Sequence, residues 1–423
     1  MRNKNIKNIL RYSAGLTIVA ALLIQIVLII IHWDTPQGSD MAYYIAYAKG
    51  CVDLNSWYPS ASNLYDPYLF APGLVNLLIL CIKVLGSWKA AMILNVLFNL
   101  IIIFGVYALG KKFFNINIAY IGVILWNLLY SNWYKVVPVG TELPFLALSL
   151  ASLCIIVYRN KQILSYILAG GLLILANYVR PLAVLFLIII VLYMILHKSK
   201  WVDYIALIIP IIVGAWMIGT MTEKNTGIFA FQSSTSGVNL AMSANDKAYG
   251  GVATHLFSDT TNLCYIKDKS SFTFSEKDSI YKARALKWIS ENPGKYVMLF
   301  PKKIGGLWIE DSWVDRPILG GDGFVGKVAS GGGDKSALIK RLIHMALGSI
   351  VYYFVIIIGV LGIIRNFRLI LKNYSTQGLL LLYLLMGVGA TCIFCVAPRY
   401  HYPMMFVMVL FAAQWLENEW IRE

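Results

Sequence analysis

Charge is scarce in this chain. Of 423 residues only 13% are Asp, Glu, Lys or Arg, and 59% are hydrophobic. A soluble globular chain carries about 25% charged and about 45–50% apolar residues. The deficit excludes a soluble domain and makes this a polytopic membrane protein. Histidine is scarcer still, with five in all. No H-x-x-x-H or D-x-D pair offers the spacing of a metal site, so no cofactor is expected, and a divalent metal on other donors stays open. The six cysteines are scattered. Cys81, Cys154, Cys392 and Cys395 fall in apolar segments, where cysteine packs as a small hydrophobe. Cys51 and Cys264 fall outside the spans, and their spacing gives no ground for a bridge. No Lys/Arg block interleaves with aromatics, so the net charge of +15 is not the mark of a nucleic-acid binder. No chain-wide repeat is present.

Long apolar runs are plentiful. Ten stretches read as spans: 12–32, 87–110, 118–132, 141–158, 163–178, 181–196, 202–221, 340–364, 377–396 and 402–417. A span needs roughly 20 apolar residues, somewhat fewer inside a bundle. The first run is longer than the roughly 7–15 residues of a signal-peptide core and lacks a small-x-small cleavage site, so it reads as retained. Cationic residues gather at every second boundary: Arg2, Lys4, Lys7 and Arg11, then Lys111 and Lys112, Arg159 and Lys161, Lys198 and Lys200, and Arg365, Arg368 and Lys372. Positive charge marks cytoplasmic loops. Both termini therefore fall on the cytoplasmic side of a cell membrane. The chain divides into 1–221 with seven spans, an extracytoplasmic region 222–339, and three spans in 340–423.

The segment 71–86 is apolar but short, opens on Pro72-Gly73 and carries Lys83. Reading it as a span would invert every later loop, so it is expected to lie in the outer interface. The segment after Asp40, "MAYYIAYAKG", is a second such helix within the first outer loop, 33–86. In the large outer region, Ser275 with Asp278 suggests a capping box and Asn292-Pro293-Gly294 a stop. The piece with Lys302 and Lys303 is placed at the interface, and the stretch from 306 to 335 is Gly-rich.

An acid at a bilayer surface draws attention because intramembrane or mouth-of-span acids are costly. Asp40 stands just beyond the first span, placed also to cap the helix that begins at Met41. Glu142 opens the fourth span, where a helix N-terminus favours it. Arg180 in "NYVRPL" and Arg399 in "APRYHYP" are cations at outer turns, on the side the positive-inside rule disfavours. Arg matches phosphate oxygens bidentately, although a snorkelling role suits both. Lys135, Lys302 and Lys303 are further cations of this kind. His401 fits a metal, a base or simple packing. Asn239, Asn245 and Gly250 fit an acceptor loop or a plain turn. Trp57, Tyr58, Trp133, Tyr134, Trp308 and Trp313 mark interfaces.

These stretches, in order, resemble the membrane glycosyltransferases of the C type (GT-C), in particular the protein O-mannosyltransferase and aminoarabinose-transferase group. "SDMAYYIAYAKG" resembles its D-E-x-x-Y helix, with Tyr44 at the motif tyrosine, and "LYDPYLFAPG" its Pro-Pro-Gly entry. "GTELPFLALSL" resembles its T-[DE]-x-P-L-F motif, and "SGVNLAMSANDKAYGG" its S-G-x-N-L element with Asn239. "ENPGKYVMLFPKKIGGLW" resembles its N-P…K…W element. "APRYHYP" resembles its R-Y-x-x-P element with Arg399, Tyr400 and His401. Met41 and Ala71 depart from it, where the group carries a second acid and a cation. The resemblance implies a GT-C fold of about ten transmembrane helices and a polyprenyl-phosphate sugar donor, undecaprenyl phosphate above all. It implies an acceptor that is a glycan, glycolipid or protein. Asp40 would be the general base and Glu142 the second acid. Arg399, Arg180, Tyr44, Tyr400, His401, Lys302, Lys303 and Asn239 would bind substrate. The competing readings are a lipid-linked oligosaccharide flippase and an outer-face polymerase or ligase. The ionisable residues gather at the outer edge rather than the midplane, and the outer loop holds only Arg284 and Arg316; both favour the transferase.

Overall fold

A computed structural model describes residues 2–60, 71–159, 162–319 and 335–420. Lys161, the 64–70 part of the first-loop motif and the glycine-rich 320–334 lie outside the described residues. The regular elements among them are all helical, apart from one isolated parallel bridge between Gly251 and Val396. The first half holds α1 (Arg2–Ile31), α2 (Ser39–Asp53), α3 (Pro72–Leu85), α4 (Ala90–Leu109), α5 (Ile116–Leu128), α6 (Glu142–Arg159), α7 (Ile163–Val179), α8 (Ala183–Leu196) and α9 (Trp201–Thr226). After it come α10 (Ser236–Ser243), α11 (Phe274–Glu291) and α12 (Phe300–Leu307), then α13 (Lys335–Arg365), α14 (Gln377–Ile393) and α15 (Met405–Trp420). Each expected span falls on one of these helices. Among the described residues, five segments suffice by length and composition to cross a membrane: Asn5–Ile31, Ala90–Phe113, Glu142–Arg159, Trp201–Thr226 and Leu342–Arg365. α5, α7, α8 and α14 are shorter and apolar.

Burial sorts the helices. Met405 to Ala413 on α15 are each 3% exposed or less. A helix apolar all round belongs inside a bundle, and α15 packs between α13 and α5. In contrast, Leu16, Leu23 and Ile30 on α1, Ile212 and Trp216 on α9, and Ile350 and Ile357 on α13 are exposed. Their hydrophobic faces are suited to lipid. α4 packs on α6, α6 on α7 and α7 on α9, while α14 packs on α8.

α2 and α3 lie against one another, and α3 reaches the end of α7. Gly73 allows this approach, because a Cβ there would come within 2.7 Å of the Tyr178 backbone. Asp40 is not the cap of α2. Gly38 holds that position without a side-chain bond and the helix starts at Ser39, so Asp40 sits in the first turn with its carboxylate engaged elsewhere. The capping box of α11 is also displaced. Thr273 Oγ1 accepts from the Glu276 N–H and Glu276 answers to the Thr273 N–H, which starts the helix at Phe274. Asp278 is turned inward instead. Asn292 closes α11 as expected, with Pro293 opening the next short helix.

Candidate active site

Two acids and three cations meet at one end of the bundle. Arg399, on the turn Pro398–Met404 between α14 and α15, donates through Nη2 to the Asp40 carboxylate. Its Nε lies 3.8 Å from Glu142 Oε1. Arg180, the residue that ends α7 in an extended conformation ahead of Pro181, brings Nη1 to 3.2 Å from Glu142 Oε1 and donates to Thr141 Oγ1 at 3.2 Å. Lys135 Nζ lies 3.5 Å from Glu142 Oε2. The Tyr400 ring lies beneath both guanidiniums, at 4.9 Å from Arg180 and 5.6 Å from Arg399. Burial holds the Lys135 pKa below its ordinary value, against the pull of Glu142.

The two acids differ in access. Glu142 is 2% exposed and enclosed by cations, whereas the Asp40 side chain is 30% exposed. Glu142 is thus an anchor that orders Arg180, Arg399 and Lys135. Asp40 is the carboxylate a ligand can reach.

A cavity of about 640 Å³ opens on this cluster. Asp40, Tyr44, Glu142, Arg180, Asn239, Arg399 and Tyr400 line it, so seven of the ten sequence-selected residues come together. Its other wall is the segment from Phe229 to Ser236, backed by Asp278 and by Thr391 and Phe394 near the end of α14. Asp278 accepts from the Gly237 and Val238 N–H groups at 3.0 and 2.8 Å, which caps α10 from α11. Sequence reasoning passed over the 229–236 wall and took Asp278 only for a capping-box partner of Ser275. The signal was the run "QSSTS", a cluster of amides and hydroxyls in an apolar chain, which reads equally as an ordinary loop.

Three selected residues lie elsewhere. His401 is 2% exposed, its ring nitrogens 3.0 Å from the Leu307 carbonyl and 3.2 Å from Asp311 Oδ1, stacked on Trp308. Lys303 is 1% exposed and donates to Ser243 Oγ at 2.8 Å and the Cys392 carbonyl at 2.7 Å. Both tie the outer region to α14 and α15, away from the cavity. Lys302 is exposed on α12 and does not line the cavity. All six cysteines, Cys51 and Cys264 included, are free and buried. Among the described residues no group of three or more His, Cys, Asp or Glu converges as metal ligands would.

No family model matches the chain, and no curated protein matches its sequence. Among solved structures it is similar to the Archaeoglobus fulgidus oligosaccharyltransferase AglB in complex with an inhibitory peptide and a dolichol-phosphate. The TM-score is 0.48 at 15% identity, over 96% of this chain and 50% of that one. A structure of the same oligosaccharyltransferase with Zn and sulfate gives 0.48 at 15%, over 95% and 49%. It is also similar to ArnT from Cupriavidus metallidurans bound to undecaprenyl phosphate, with a TM-score of 0.42 at 10% identity, over 96% of this chain and 77% of that one. AglB and ArnT are GT-C glycosyltransferases, the type its sequence motifs resemble. The chain spans about half the length of AglB.

Proposed function

We propose that this chain is a membrane glycosyltransferase. It moves a monosaccharide from a polyprenyl-phosphate donor, undecaprenyl phosphate by the sequence resemblance, to a hydroxyl of an extracytoplasmic acceptor, with inversion at the anomeric carbon. The observation that carries the reading is the accessible Asp40 beside Arg399 and Arg180 at the mouth of a cavity. Three cations there face two carboxylates. The surplus is one positive charge, and the phosphodiester of a lipid-phosphate sugar carries one negative charge.

The chemistry follows from that balance. The acceptor oxygen attacks the anomeric carbon from the face opposite the phosphate, and the bond from that carbon to the phosphate oxygen breaks. Asp40 takes the proton of the attacking hydroxyl. The leaving polyprenyl phosphate gains charge as it departs, and the arginines stabilise it as preorganised donors. Glu142 takes no proton in this scheme. It is enclosed, and it positions the arginines. The basic boundaries put both termini in the cytoplasm and this cavity on the outer face of the cell membrane, where a glycan, glycolipid or protein would supply the acceptor.

The test is Asp40→Asn in native membranes supplied with a labelled polyprenyl-phosphate sugar. Removal of a general base typically costs about 10²–10⁴ in rate. Donor binding is expected to stay and sugar transfer to be lost. Transfer within a few-fold of wild type would remove Asp40 from the role.

A further inference from the structure

The cavity has two chemically different halves. Opposite the charged cluster, the wall supplied by Gln232, Ser233, Ser234, Thr235, Ser236 and Asn239 carries only amides and hydroxyls. These groups are bound into place. Asn177 Nδ2 donates to Gln232 Oε1 at 3.0 Å, which uses the acceptor end of that amide and leaves its NH₂ end to donate. Asn239 donates to Thr235 Oγ1 at 3.4 Å and accepts from Cys395 Sγ at 3.5 Å. Phe229, Phe231 and Phe394 supply apolar faces beside them.

The cations near this wall are already matched. Both Asp278 oxygens accept backbone N–H groups of α10. Asp40 holds Arg399, and Glu142 holds Arg180. The one surplus cation is matched by the donor phosphate. A carboxylate substituent on the sugar would therefore be desolvated with no cation left for it, which is strongly unfavourable. Neutral hydroxyls, in contrast, find donors and acceptors in the Gln, Asn, Ser and Thr groups, and the C–H face of a sugar ring packs on the phenylalanines.

We infer that the 229–239 wall selects an uncharged hexosyl group on the donor lipid and discriminates against uronic acids, with Gln232 as a specificity-determining residue. This rests on the donor-binding reading above.

The full-length protein in nanodiscs is titrated with three short-chain lipids: a polyprenyl methyl phosphodiester, and the hexosyl and hexuronosyl polyprenyl phosphates. The hexosyl lipid is expected to bind at least tenfold tighter than either of the other two. In Gln232→Glu, which keeps an oxygen for Asn177 but has no NH₂ to donate, the advantage of the hexosyl lipid over the methyl phosphodiester is expected to fall tenfold or more. A hexuronosyl lipid that binds wild type as tightly as the hexosyl one overturns the inference, and so does a sugar that adds nothing to the methyl phosphodiester. Failure of all three lipids to bind overturns the donor-binding reading itself, a result distinct from the other two.

Discussion

Arg399 donates to the carboxylate of Asp40 across 359 residues of sequence. The proposed base and the cation proposed for the leaving phosphate are therefore partners in one ion pair. A donor phosphate would compete with Asp40 for the same guanidinium.

Removal of that guanidinium should weaken donor binding more than folding. A hydrogen bond to a charged group contributes about 1.5–3 kcal/mol, which corresponds to roughly 10- to 150-fold in affinity. Arg399→Ala is expected to lose that much for a short-chain polyprenyl phosphate, and Arg399→Lys to recover part, since a point charge replaces a planar fork. Titration of both variants checks this. Equal affinity in all three proteins would leave Arg399 a mere snorkelling cation.

Glu142 and Asp40 should separate by readout. Glu142→Gln leaves Arg180, Arg399 and Lys135 facing one another around a buried amide, and breaking a buried ion pair costs about 3–5 kcal/mol. Asp40→Asn affects a carboxylate that is 30% exposed, and its stability should stay near wild type. Melting curves in detergent decide: a large drop for Glu142→Gln with little change for Asp40→Asn is expected. The opposite order would reverse the roles assigned to the two acids.

How much of this was legible depends on whether the deciding partner lies nearby in sequence. Asp40, Glu142, Arg180 and Arg399 stand out because a charge amid apolar residues at a span mouth needs a reason, whatever its partner. Lys303 and His401 stand out for the same reason, yet their partners are the Cys392 carbonyl and Asp311. Such contacts, about 90 positions away in the chain, leave no local trace. The helices were legible as apolar runs, and five of those described are long and apolar enough to cross a membrane. The helix starts were not, since Gly38 rather than Asp40 precedes α2 and Thr273 rather than Ser275 caps α11. The neutral wall was the least visible, because serine and threonine in a row signal a loop before they signal a site.

Sidedness has a direct check. The native cysteines are buried, so an introduced one is reported against a low background. Lys287, on the exposed face of α11, and Lys112, after α4, are both exposed. Lys287→Cys is expected to react with an impermeant maleimide added outside intact cells, and Lys112→Cys only after permeabilisation. The reverse pattern would invert the topology and put the cavity on the cytoplasmic face.

Lys303 carries a pH dependence of stability. Burial pulls its pKa down to about 8 from an ordinary 10.5. Between those values the unfolded chain binds more protons than the folded one, so stability rises with pH across that window. Below about 8 the penalty is fully present. Melting temperature is expected to climb from pH 8 towards 10.5, and Lys303→Met to flatten the rise. A wild-type profile no steeper than the variant's would show that the amine is not desolvated.

The close approach of α10 and α11 hangs on one glycine. A Cβ at Gly237 would sit 1.9 Å from the Asp278 carbonyl oxygen, a backbone atom that no rotamer change can move. Gly237→Ala must therefore push α10 off α11 and strain the two N–H bonds to Asp278 that cap it. Overpacking of this kind typically costs about 1–3 kcal/mol, occasionally more. The charged cluster is supplied by α2, Lys135 between α5 and α6, α6, the end of α7 and the turn before α15, none of which carries the displaced segment. Gly237→Ala is thus expected to lower the melting temperature and to weaken binding of a hexosyl polyprenyl phosphate. Affinity for the methyl phosphodiester should stay within a few-fold of wild type. Equal loss for both lipids would mean that the two halves of the cavity are not separable, and an unchanged melting temperature would mean that α10 is free to shift without strain.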